Sequence, residues 1–363
     1  MVILMKINLS IFNFKLMKKF IIKLSFLVPV FGLLLLVNYF GDAAHIFDSN
    51  YEKTMAEIVS NGHNVTNIEN YDERLFQAEL INNKNIRPKF VVIGSSRTML
   101  LNSHNLSSNS FFNNSVSGAG MKDLIALYQL YKVNKKIPQK IMIGIDPWIF
   151  NESNNDERWK SIGKYYYQFV NSNVSNDLDG FKYKQLLSFS YFQASLKNIP
   201  VVIGRESFPI STNKKYNLTN TKLRDGSLVY EKEYREASNE KIEAKVQSSL
   251  KGNLYKLENF QNISKPILNE FKMLILDLKN HNVEIEFFLA PYHPLFYRKI
   301  ELEYPMVLKT EVLINEFAKQ NNLKVYGSFN PHLFRMDSSF FYDGMHNKEV
   351  GIKKILSSNK IEK

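Results

Sequence analysis

Apolar positions fall into three regimes along the chain. Residues 20–40 (FIIKLSFLVPVFGLLLLVNYF) form an almost unbroken apolar run, which at about 1.5 Å per helical residue reaches about 31 Å, the thickness of a bilayer core. Residues 41–87 are polar, with a helical pattern over 71–81, and read as a stalk or first cap. From residue 88 onward, short apolar runs alternate with amphipathic helices, the pattern of a sheet covered on both faces. The runs are KFVVIG (89–94), FFNNSVSG (111–118), IMIGID (141–146), EIEFFLAP (284–291) and LKVYGSF (323–329). Between them, Met121, Leu124, Ile125, Tyr128 and Tyr131 share one helical face, as do Ile267, Leu268, Phe271, Leu274, Ile275 and Leu278. Ser264 and Pro266 supply a start signal for the second of these helices. Leu302, Met306, Leu313 and Phe317 mark a third stripe, and Ile352, Ile355 and Leu356 a short last one.

These elements predict an α/β fold with a doubly wound, mostly parallel five-stranded sheet assembled from residues 88–150 and 262–363. The stretch between them, 151–261, lacks clear periodicity, is rich in Asn, Lys, Ser and Tyr, and is too long for an ordinary loop. It reads as an insertion that packs over or beside the sheet as a lid.

Charge gives the apolar run a direction. Lys6, Lys15, Lys18, Lys19 and Lys23 precede or enter it, while Asp42, Asp48 and Glu52 follow it. The positive-inside bias therefore leaves residues 1–19 in the cytoplasm, makes 20–40 a single-pass anchor in the cytoplasmic (inner) membrane, and puts the rest on the extracytoplasmic, periplasmic side. Pro29 and Gly32 are compatible with this, because membrane helices tolerate both. The competing reading is a cleaved signal peptide with Ala43 and Ala44 at the cleavage site. The length of the run favours the anchor. Met17, directly before Lys18 and Lys19, has the look of a natural start, so that residues 1–16 read as an over-extended gene boundary.

The formal net charge is +12, but beyond those five lysines the chain holds 42 basic and 35 acidic side chains, a net of +7 without a basic stripe. That argues against a nucleic-acid partner. The chain has no cysteine, which excludes disulfides, Cys-ligated zinc, iron–sulfur clusters and thiol nucleophiles. HExxH, Walker A, GxGxxG and GxSxG patterns are missing from the sequence, leaving metalloprotease, NTPase, dinucleotide and α/β-hydrolase readings unsupported. No metal or cofactor is expected.

In a parallel α/β sheet ligands bind off the carboxyl ends of the strands. The residues there are Gly94-Ser95-Ser96-Arg97, Ser117-Gly118-Ala119-Gly120, Asp146-Pro147-Trp148, Pro291-Tyr292-His293-Pro294 and, after a loop, Asp343-Gly344-Met345-His346. A serine, exposed backbone amides and an Asp/His pair at i, i+3 are the parts of a Ser–His–Asp acyl-transfer site.

With these blocks the chain resembles the SGNH (GDSL-like) hydrolase superfamily, over residues 88–150 and 284–357. VVIGSSR resembles the first block, NNSVSGAG the second and FYDGMH the last. The resemblance implies a flavodoxin-like sheet, Ser96 as nucleophile, Asp343 and His346 as its partners, and the Ser96 and Gly118 amides as oxyanion donors. The anchor and the IGIDPWIF string are most similar to membrane-anchored proteins of envelope-polymer acylation, of the D-alanine transfer and alginate O-acetylation types. Asp146 stands where the third block has an oxyanion-binding Asn, and an ionised carboxylate only accepts hydrogen bonds. Its alternative role is to hold the loop at Pro147 or orient a neighbour.

Each signal has a structural competitor. Ser96 could simply cap a following helix, and the adjacent Ser95 is the alternative nucleophile. Arg97 is either a guide for an anionic glycan or a helix-surface residue. His293 is either a substrate contact or part of a rigid Pro-flanked turn. Trp159 and Tyr165–167 offer rings for sugars but also suit a core. Asp177-Leu178-Asp179 matches the DxD of nucleotide-sugar transferases without a strand before it, and His45, His63, His104, His281 and His332 have no partner spacing. The expected activity is serine-dependent acyl transfer, of acetyl in the first instance, onto a cell-envelope polysaccharide or teichoic-acid-like polymer, beside a multi-span membrane acyltransferase. The alternatives are an esterase acting on acylated glycans and a catalytically silent accessory protein.

Overall fold

The computed structural model describes residues 14–42, 50–68, 71–172, 183–184, 186–204 and 209–358. The Ala43–Ala44 pair and the Asp177–Asp179 triplet lie outside them. The chain divides into two compact units, residues 1–48 with 179–206, and residues 49–178 with 207–363. The stretch expected as one unpatterned insertion is therefore split between the two.

In the larger unit, nine strands form two sheets among the described residues. In chain order they are β1 (Asn64–Thr66), β2 (Phe90–Ile93), β3 (Phe111–Asn113), β4 (Lys140–Gly144), β5 (Ile210–Thr212), β6 (Thr221–Lys222), β7 (Leu228–Val229), β8 (Glu284–Leu289) and β9 (Lys324–Gly327). The main sheet has the order β3-β2-β4-β8-β9, and every neighbouring pair is parallel. The five expected apolar runs are these five strands. Because both faces are covered, β2 (FVVI) and the inner stretches 141–143 of β4 and 287–289 of β8 are continuously apolar rather than alternating, whereas β8 opens with Glu284 and Glu286 and the edge strand β9 with an exposed Lys324. Val91, Ile93, Ile141, Ile143, Ile285, Phe287 and Leu289 enter one core with helices Met121–Val133 and Lys265–Asn280. Phe90, Val92, Met142 and Phe288 enter a second core with Met99, Leu101, Ile352 and Ile355 on the opposite face.

Two elements differ from expectation. The third helical stripe is two helices, Pro294–Glu303 and Pro305–Asn321, broken at Tyr304. Pro305 has no N–H to continue the first helix and forces the residue before it out of helical geometry; Tyr304 sits at φ −126°, ψ 61°. The run 111–118 is strand only to Asn113; the rest turns, with Gly118 at φ +58°.

Within residues 41–87, read as a stalk or first cap, helices Asn50–Ser60 and Glu73–Asn82 pack around a core of Met55, Val59, Val65, Phe76 and Leu80. Strand β1 of this segment pairs antiparallel with β5 and β6, and β6 with β7, so that chain segments far apart in sequence share a second, four-stranded sheet.

Among the described residues, one helix, Lys18–Gly41 in the smaller unit, is long and apolar enough to cross a membrane. Helix Phe189–Gly204 packs against it.

Candidate active site

Ser96 follows β2 after a Gly94-Ser95 turn. Gly94 lies against Gly144 of the adjacent strand; a Cβ there would sit 3.1 Å from the Gly144 Cα and 2.5 Å from Thr98 Oγ1. The missing side chain lets the turn close. Ser95 Oγ points inward and accepts from Arg97 N–H at 3.1 Å, with the residue fully buried. Ser96 caps no helix, since residues 96–100 are turns. Its half-buried hydroxyl lies instead 2.9 Å from His346 Nε2.

His346 is held by the residue three positions before it. Its Nδ1 is 3.0 Å from both Asp343 carboxylate oxygens. Asp343 Oδ1 also accepts from the backbone N–H of Met345 (2.8 Å) and His346 (2.9 Å), which closes the DGMH turn on its own carboxylate. An acceptor at Nδ1 fixes the proton there and leaves the Nε2 lone pair for the serine hydroxyl.

Oδ2 of Asp343 has a partner that no sequence pattern identified. Tyr234, in the short helix Lys232–Arg235, donates its hydroxyl at 2.6 Å. The Tyr234 ring stacks on Tyr342 at 5.2 Å, and Lys245 Nζ lies 4.4 Å above it and 3.7 Å from Asp343 Oδ2. Burial by itself would raise the Asp343 carboxyl, but the charge and hydrogen bonds of His346, the Tyr234 hydroxyl and the Met345 N–H hold it well below the usual carboxylate range. Burial and the adjacent Asp343 charge push the Tyr234 hydroxyl up, so it stays a proton donor.

Gly118 is positioned by helix Glu73–Asn82, whose Asp72 cap accepts from the Arg74 and Leu75 N–H groups. Glu73 binds the Ser117 N–H and, at 2.9 Å, the Ser117 hydroxyl. Arg74 donates to the Ser117 carbonyl at 3.0 Å while paired with buried Asp123 at 2.8 Å. Lys256 Nζ donates to the Gly118 carbonyl at 2.8 Å, and a Cβ on Gly118 would collide with Arg158 and Tyr255. Among the described residues, the N–H groups of Ser96 and Gly118 donate to no atom of the chain. Two backbone donors without acceptors, in the sequence blocks that follow the adjacent parallel strands β2 and β3, have the chemistry an oxyanion requires.

Arg97 and Asp146 do not face solvent. They form a buried ion pair at 2.9 Å. Arg97 also donates to the carbonyls of Met345 (3.2 Å) and Ala290, and its guanidinium lies 3.9 Å from the centre of the Tyr292 ring. The pair thus ties together the ends of β2, β4 and β8 and the turn that carries His346. His293 is fully buried. Its Nδ1 accepts the Leu295 N–H at 3.2 Å, capping the following helix, and its backbone N–H donates to the Gly344 carbonyl at 3.0 Å. Burial lowers the basicity of its imidazole. Trp159 and Tyr166 belong to the main core. Among the described residues no cluster of His, Asp and Glu is arranged to hold a metal ion.

No protein-family model matches the chain, and no curated protein matches it in sequence.

Proposed function

We propose that this protein is an SGNH-type serine acyltransferase with a doubly wound, flavodoxin-like α/β domain, which O-acylates a cell-envelope polysaccharide or teichoic-acid-like polymer. The observation that carries the reading is the unbroken relay Ser96 Oγ, His346 Nε2, His346 Nδ1, Asp343, with a 2.9 Å contact between Ser96 and His346, 250 positions apart, and a 3.0 Å contact from His346 to Asp343. Supporting it are the two backbone donors at Ser96 and Gly118 and the strand order β3-β2-β4-β8-β9, which is the flavodoxin-like arrangement 2-1-3-4-5 when only the parallel strands are numbered.

The chemistry runs in two halves. His346 Nε2 takes the Ser96 proton as Oγ attacks the acyl carbonyl of a donor ester. The developing oxyanion is met by the Ser96 and Gly118 N–H groups, the donor alkoxide leaves with the proton from His346, and the acyl group remains on Ser96. An acceptor hydroxyl then gives its proton to His346 and attacks the acyl-serine. A new ester forms, and the proton returns to Ser96 Oγ. Asp343 stays ionised throughout and stabilises the imidazolium.

The membrane-length helix and the lysines before it support a single-pass anchor with the N-terminus in the cytoplasm and the catalytic domain extracytoplasmic. A multi-span acyltransferase in the same membrane is the partner that would supply the acyl donor. The test is turnover of p-nitrophenyl acetate by the full chain in detergent, with and without an O-deacetylated polysaccharide acceptor. Acyl transfer to the acceptor that vanishes in Ser96→Ala supports the transferase. Release of acetate to water alone makes the protein an esterase, and turnover unchanged by Ser96→Ala rejects both.

A further inference from the structure

In the smaller unit, helix Phe189–Gly204 lies against the polar end of the membrane-length helix through specific contacts. Asn38 Nδ2 donates to the carbonyls of Leu186 (2.8 Å) and Ser188 (3.2 Å), ahead of the helix. Tyr191 donates its hydroxyl to Asp42 at 2.7 Å. Gly41 meets buried Ser195 so closely that a Cβ on Gly41 would stand 2.6 Å from the Ser195 carbonyl oxygen. Small residues at a close crossing, with polar side chains bonding between the elements, are how helices associate in a bilayer.

Several of the segment's described apolar side chains point outward. Leu187 and Phe189 are more than 60% exposed and Leu196 nearly half exposed, on the same unit as the exposed Leu36, Tyr39 and Phe40 of the membrane-length helix. Between Leu186 and Gly204 the only charged residue is Lys197, and Pro200 sits within the helix. An interior proline and near absence of charge are poorly suited to a water-exposed helix and are tolerated in lipid. At about 1.5 Å per residue the helix measures about 24 Å, too short for a core of about 30 Å.

We infer that residues 186–204 are a second membrane contact, which does not cross the bilayer but is seated in the leaflet at the C-terminal end of the membrane-length helix, with Leu187, Phe189 and Leu196 in the acyl-chain region. Lys197, exposed on the same helix, is long enough to reach the headgroups from there, as long basic side chains do. The inference rests on residues 18–41 spanning the membrane. Its consequence is that the chain meets the bilayer at two places in its sequence, residues 18–41 and 186–204, rather than one.

The absence of native cysteine allows a clean test on the full chain. Single-cysteine variants Leu187→Cys, Phe189→Cys and Leu196→Cys carry an environment-sensitive fluorophore in phosphatidylcholine–phosphatidylglycerol vesicles, alongside Leu33→Cys on the membrane-length helix and Leu302→Cys, 78% exposed on the larger unit. All five positions are exposed, so labelling leaves the packing intact. The expected result is several-fold stronger quenching by nitroxide-bearing lipid at 187, 189 and 196 than at 302, with matching protection from aqueous iodide. If those three sites behave like 302 while 33 is quenched by lipid, the second contact is refuted, and a protein partner absent from the vesicles becomes the occupant of this face. If 33 is not quenched either, the membrane span itself fails and the inference falls with it.

Discussion

Arg97 and Asp146 form an ion pair with both side chains almost wholly buried, one residue after the candidate nucleophile and at the end of the neighbouring strand. Removing one member of a buried pair leaves a charge without its partner, which typically costs about 3–5 kcal/mol, whereas replacing both by apolar groups of similar size is often neutral. Asp146→Ala is therefore expected to lower the thermal midpoint of the larger unit sharply, and Arg97→Met with Asp146→Leu to recover most of the loss. The double variant should remain less active than wild type, because the bond from Arg97 to the Met345 carbonyl beside His346 is gone. Calorimetric melting and ester turnover, measured on the same samples, separate the two effects.

Tyr234 donates its hydroxyl to Asp343, and under the proposed function it is a positioning residue that acts through that carboxylate. Loss of a hydrogen bond to a charged group is worth about 1.5–3 kcal/mol, only part of which is felt in the transition state. Tyr234→Phe should lower kcat about tenfold, corresponding to about 1.4 kcal/mol, with KM nearly unchanged. A fall in KM affinity without a fall in kcat would instead make Tyr234 a substrate contact.

Gly118 is strained for any other residue by its left-handed backbone and by Arg158 and Tyr255 beside its Cα. Gly118→Ala should displace the loop and with it one oxyanion donor, a loss of about 10²–10³ in kcat. Titration with a serine-directed phosphonate before and after the change tests whether the nucleophile survives while the donor is lost.

Asp343 links the site to acid stability. Its folded-state carboxyl is depressed, so it stabilises the native state fully above the ordinary carboxylate range and that contribution disappears as pH falls below about 4. Asp343→Asn lacks the contribution at every pH. The gap in melting temperature between wild type and this variant should be widest near neutrality and close progressively below pH about 4.

The sequence carried more of the sheet than of the site's supports. A continuous apolar run such as FVVI announces a buried parallel strand because both of its faces are covered, and Ser96 and Gly118 follow strand ends where topology makes a crevice, with Asp343 and His346 reaching it after a loop beyond the last strand. What stayed hidden depends on contacts between distant segments. Tyr234 lies in a four-residue helix without periodicity, and nothing local shows that it reaches Asp343, 109 residues later. Strand β1 is three residues long and pairs with partners some 150 positions away, which no pattern within residues 41–87 reveals. Arg97 read equally well as a surface residue, since only its distance from Asp146 exposes the pair.

The central claim is that Ser96 is the activated nucleophile. Its most direct measurement is covalent labelling of the full chain by a fluorophosphonate, followed by peptide mass mapping. The account predicts a single stoichiometric adduct on Ser96, with Ser95 unmodified, and labelling that drops by orders of magnitude in His346→Ala. A Ser96 that stays unlabelled in folded protein, or one labelled equally fast without His346, would contradict it.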